Sequence, residues 1–205
     1  MTTKRRALAA ALWVSTTTVI GAGAQARAFP RVHDPTLTLD LQNMANISTT
    51  VLEEARLTLT RIYQAAGIHV RWNTASADFT AILRPPPHPE AMRNSRFALG
   101  YAPHSPTARG HLAYVLADRT EAMARGLGVP HHLVLGMTMA HEVAHLLLPN
   151  NGHSPSGIMR DSWTLSDYKK AGLGQLFFTK EQARLMRDAL AAVRLRAPGA
   201  QQRLD

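Results

Sequence analysis

Apolar residues recur along this chain with two different periods. Leu37, Leu39 and Leu41 alternate with Thr38 and Asp40, the period of a half-buried strand. From residue 51 the period lengthens. Val51, Leu52, Ala55, Leu59, Ile62 and Ala66 fall on one face of a helix, with Thr50 and Glu53 predicted as a capping box and Gly67 as its end. Residues 68–72 and 79–83 read as two more strands. A strand, a long helix and a strand make a right-handed crossover with the helix on the sheet. Residues 84–90 (Arg-Pro-Pro-Pro-His-Pro-Glu) form an extended loop between strands, and 97–102 and 111–116 read as a further strand pair. Residues 130–148 predict one helix, apolar at Leu133, Val134, Met137, Ala140, Val143, Ala144 and Leu147. Pro130 suits its first turn, and Pro149 cannot continue it. Thr179 and Gln182 open a final helix that buries Ala183, Met186, Ala189, Leu190 and Val193. The sum is an α+β fold: a twisted mixed sheet with a packed helix, the 130–148 helix below it and a C-terminal helix.

The 130–148 helix carries charged residues inside an apolar segment, which makes it the candidate site. His141-Glu142-Val143-Ala144-His145 is an H-E-x-x-H pattern. Histidines four apart lie one helical turn above each other, so both imidazoles reach one metal ion. Glu142, one position on from the first histidine, is placed to act as a general base on water held by that metal. Buried His and Glu need partners, and a metal supplies one. Catalytic zinc takes three protein ligands and leaves a fourth position open. The Pro-Asn-Asn-Gly run at 149–152 is a turn signal that folds the chain back toward the helix end. His153 is then the natural third ligand, with Asp161 and Glu181 as rivals.

The run HEVAHLLLPNNGHSPSGIMR resembles the metzincin zinc proteases, especially the matrixin-like branch. The resemblance implies zinc held by His141, His145 and His153, with Glu142 as base. Ser154 matches the residue after the third histidine, and Gly157-Ile158-Met159 matches the methionine turn beneath the metal. Leu148 stands where the family has glycine, and His153 comes eight residues after His145 instead of six. Gly152 would then do the turning, four residues late. The resemblance further implies that residues 97–102 form an edge strand able to bind a peptide by strand addition, with little bulk at Ala98, Gly100 and Ala102. It places a specificity pocket behind the zinc, walled by the loop after Met159, and offers Tyr168 as an oxyanion donor. Trp163 reads as a core or wall residue. His104 and His111 fall where such domains hold a second, structural metal, but the Asp-rich loop it needs is absent.

Composition narrows the setting. The 205 residues suit one domain, and there is no cysteine, hence no disulfide and no thiolate metal site. Residues 1–28 read as a secretory signal. Lys4-Arg5-Arg6 is followed by an apolar stretch to Ile20, and Ala26-Arg27-Ala28 is a small-x-small cleavage site, with cleavage after Ala28. The net charge of +9 falls to +5 without this segment, and no dense basic run remains to suggest nucleic acid. Asn46-Ile47-Ser48 reads as a helix start rather than a glycosylation site. The expected organisation is signal 1–28, catalytic domain 29–196 and polar tail 197–205. The expected protein is a secreted or periplasmic monomeric zinc endopeptidase acting on peptides or proteins. The rival reading is a non-catalytic zinc-binding envelope protein that recognises a partner.

Overall fold

The alternation at Leu37 and Leu39 becomes a strand whose two leucines are fully buried, and that strand seeds the sheet. The computed structural model describes residues 35–72, 77–89, 95, 97–103, 110–149 and 152–196. The expected signal segment with Ala28, the expected tail 197–205, His104 and the residues Asn150 and Asn151 of the predicted turn lie outside them. Five strands are described: β1 (Thr36–Asn43), β2 (His69–Trp72), β3 (Phe79–Arg84), β4 (Gly100–Tyr101) and β5 (Leu112–Leu116). Their order is β2-β1-β3-β5-β4, parallel except for β4, which runs antiparallel to β5 at the edge. Helix α1 (Thr49–Ala65) makes the crossover from β1 to β2.

Four more helices follow: α2 (Ala117–Leu127), α3 (His131–Leu147), α4 (Leu165–Gly172) and α5 (Lys180–Arg196). α3 packs between α1 and the sheet. Gly136 lets α1 and α3 approach closely, since a Cβ there would lie 2.6 Å from Thr58 Cβ and 2.7 Å from the Ala55 carbonyl oxygen. One turn further on, the Tyr63 hydroxyl donates to the Ala140 carbonyl at 3.1 Å. Leu135, Met137, Met139, Ala140, Val143 and Ala144 are all fully buried, so the helix that carries the charged motif is also the centre of the core. Core truncations of such side chains cost about 2–5 kcal/mol. This places α3 at the heart of the described core.

Several expectations change. No capping box forms at Thr50 and Glu53. The helix starts at Thr49 after Ser48, Glu53 turns to Arg56, and the Asn43 side chain holds the approach through both backbone groups of Ile47. The strand predicted over 97–102 shrinks to Gly100–Tyr101. The preceding carbonyls of Ser95 and Ala98 accept from Arg119 Nη1, at 2.6 and 2.9 Å, instead of from another strand. Two helices escaped the sequence reading. α2 is short and shows few large apolar residues, though Ala117, Thr120 and Ala124 keep helical spacing and Gly128 closes it in the left-handed conformation. α4 is eight residues long, and its signal is the Thr164–Asp167 capping box. The reciprocal bonds of Thr179 and Gln182 do open α5 as read from the sequence.

Candidate metal centre

The i, i+4 spacing on α3 puts His141 and His145 edge to face, with Nε2 atoms 2.9 Å apart. His153 arrives from the loop beyond the helix, its Nε2 3.3 Å from that of His141. One ring nitrogen from each of the three lies within 4.8 Å of the others, and no other such group occurs among the described residues. Tetrahedral zinc with bonds of about 2.0–2.1 Å sets its ligand nitrogens roughly 3.3 Å apart. The His141–His145 and His141–His153 separations stand at or slightly inside that spacing.

The loop owes its path to a few contacts. Gly152 turns with φ at 64°, and a Cβ there would strike Leu148 at 2.8 Å. Its carbonyl accepts from Gln182 Nε2 on α5 at 2.8 Å. Beyond His153, the Ser154 N–H donates to the Met159 carbonyl at 2.8 Å, closing the turn that places fully buried Met159. The late turn at Gly152 thus replaces the glycine missing at Leu148.

Tautomers follow from the acceptors. His141 Nδ1 donates to the Ile158 carbonyl at 2.9 Å, and His153 Nδ1 donates to the Asp161 carboxylate. In its neutral form each ring then carries its lone pair on Nε2, and the two Nε2 atoms lie 3.3 Å apart. Neutral lone pairs at this distance repel unless a cation sits between them, so the donor set fits a divalent metal. Burial pushes His141 down to about 4, which keeps it neutral at ordinary pH. Trp163 stands edge-on to His141 at 5.5 Å, and its indole N–H also donates to the Ile158 carbonyl.

Glu142 lies beside the cluster and is 6% exposed. Burial raises its carboxyl to about 8, and Oε2 has no hydrogen-bond partner among the described residues. An orphaned buried oxygen next to three converging imidazoles calls for a cation or a water as its complement. The edge strand packs directly on this side chain. A Cβ on Gly100 would meet Glu142 Cγ at 2.6 Å. Both groups face a cleft of about 390 Å³ that also takes in the three histidines, Trp163 and Tyr168. Burial raises the Tyr168 hydroxyl to about 12, so it stays a neutral donor.

The rivals for the third place go elsewhere. Asp161 stands behind His153 as its hydrogen-bond acceptor, and Glu181 is exposed and paired with Arg184. The other described histidines do not join the site. His88 pairs with Asp118, His131 contacts the Thr120 hydroxyl, and His132 pairs with Glu54. His111 lies on Phe79 with Nδ1 at the Asp78 carbonyl, apart from any cluster of three. Sequence reasoning missed the contributions of Gln182 and of Gly100. Neither carries a local signal, because each acts on a segment far off in the chain.

No family model matches the sequence, and no curated sequence does. The fold is similar to the crystal structure of archaemetzincin from Methanopyrus kandleri, with a TM-score of 0.53 and 15% identity. The match covers 79% of this chain and 98% of that one. At this identity the likeness speaks for the fold.

Proposed function

We propose that this protein is a zinc-dependent endopeptidase of metzincin-like fold, with His141, His145 and His153 as metal ligands and Glu142 as general base. The observation that carries the reading is the pair of lone pairs, on His141 and His153, converging beside His145 and an orphaned carboxylate oxygen. The likeness to archaemetzincin supports it from the side of the fold. Zinc held there supplies Lewis acidity, acidifying a water to a pKa of about 7 and polarising a carbonyl.

The protein's own groups do the rest. Glu142 takes a proton from the attacking water and returns it to the leaving amine. Asp161 holds His153 in its ligating tautomer, and Ile158 does the same for His141. A peptide added along the outer edge of β4 would lie beside Glu142, where Gly100 leaves room. The sequence of residues 1–28 supports export before action.

Purified full chain should carry one zinc by elemental analysis and cleave members of a peptide library, with cleavage lost to chelator and restored by zinc. Glu142→Gln should keep the zinc and lower kcat by about 10²–10⁴-fold. A variant as fast as the parent would refute the assignment of the base. Zinc without cleavage in the parent would favour the partner-binding reading instead.

A further inference from the structure

Arg160 follows the methionine turn and lines the same cleft as the three histidines and Glu142. Its Nη1 donates to Asp167 Oδ2 at 3.0 Å. Among the described residues no other side-chain bond engages the guanidinium, which is 34% exposed, whereas the Asp167 side chain is 7% exposed. The same Asp167 oxygen accepts from the Thr164 N–H and hydroxyl, both at 2.8 Å. The carboxylate behind Arg160 is therefore occupied by the α4 cap and holds the arginine from one side. A guanidinium has five donors in a planar fork, and most of this fork is unspent.

Among the described residues the ion-pair partner of Arg160 is Asp167, which is buried and outside the cleft lining. The acidic groups lining that space are Glu142, packed under Gly100, and Asp161, bound to His153. Leu99, Met123 and Trp163 make the nearby wall apolar. A pre-positioned arginine in a partly apolar cleft favours a carboxylate through paired, charge-assisted hydrogen bonds.

We infer that Arg160 forms a carboxylate-binding subsite within the cleft, selecting peptides that present an acidic group beside the bond to be cut. The inference rests on the peptidase reading above. The carboxylate has two sources, an Asp or Glu side chain and a free C-terminus.

The test uses zinc-loaded full chain and matched peptides that differ at one position scanned across the cut. Each position carries Glu or Gln, and each peptide ends in a free or an amidated carboxyl. Glu should exceed Gln in kcat/KM by about 10–100-fold at one position, the range expected for charge-assisted bonds. A preference for free over amidated ends would assign the subsite to the C-terminus. Arg160→Gln should erase the discrimination. Arg160→Lys, which keeps the charge toward Asp167 but loses the fork, should keep only a small part of it. Binding of labelled peptides to Glu142→Gln protein, read by fluorescence anisotropy, should show the same ranking without turnover. Equal binding of Glu and Gln peptides, or a preference that survives Arg160→Gln, overturns the inference. A parent that cleaves peptides without acidic preference defeats the subsite and leaves the peptidase. Arg160-dependent binding of acidic peptides by a parent that cuts none defeats the peptidase and leaves the subsite.

Discussion

His141 and His145 reach the centre by a different route from His153. The first two ride on a helix packed between α1 and the sheet, where 3.6 residues per turn and a fully buried core fix their separation. The third rides on a loop whose position depends on a left-handed glycine, a glutamine from α5 and a carboxylate two residues past the methionine turn. One half is set by periodicity and packing, the other by a handful of polar contacts. The helical half is therefore robust to loop changes, and the loop half is where affinity is tuned.

The largest effect should come from the helical half. His141→Ala removes a proposed ligand and the Nδ1 donor to the Ile158 carbonyl, so elemental analysis should find no bound zinc and activity should vanish. Stoichiometric zinc in that variant would break the contrast at its root. Gly152→Ala strikes the loop half. A Cβ in the left-handed region costs about 1–2 kcal/mol, and the overlap with Leu148 adds to it. Thermal melting should fall, with zinc binding weakened, while the circular dichroism of the helices stays as in the parent.

Asp161→Asn is the finer probe. It leaves all three rings in place but weakens the acceptor behind His153. Zinc affinity, read by chelator competition, should drop by about 10–100-fold. An unchanged affinity would mean that the loop histidine needs no orienting partner.

The smallest effect concerns acid. Burial pushes the Asp167 carboxyl up, but the Thr164 N–H and hydroxyl, then Arg160 and Lys170, outweigh this and hold it below the usual carboxylate range. A depressed value in the folded state means stability that is present above the ordinary range and lost as pH falls through the lowered one. Asp167→Asn should lower the melting temperature near neutrality, as loss of a cap costs about 0.5–2 kcal/mol, and should flatten the acid side of the profile. Parallel profiles for parent and variant would show that the cap carries no proton linkage.

What the sequence disclosed follows the same division. The α3 pattern was readable because seven apolar positions repeat around a charged pentapeptide, and the strand at Leu37 and Leu39 because alternation is a local property. His153 was readable as a candidate third ligand through the turn signal at 149–152, with Asp161 and Glu181 left as rivals. Only the folded chain brings Asp161 behind His153 and leaves Glu181 out at the surface with Arg184. The hold of Gln182 on Gly152 spans 30 residues, and the fit of Gly100 onto Glu142 spans more, so no local window contains either. α2 and α4 were passed over for another reason: short helices with small or polar faces leave little hydrophobic signature.

At Gly100 a lone hydrogen is all that separates the rim of the sheet from the Glu142 side chain. Anyone diversifying this rim to retarget the cleft will find this position closed. The smallest side chain there would displace the carboxylate before it altered what the rim admits.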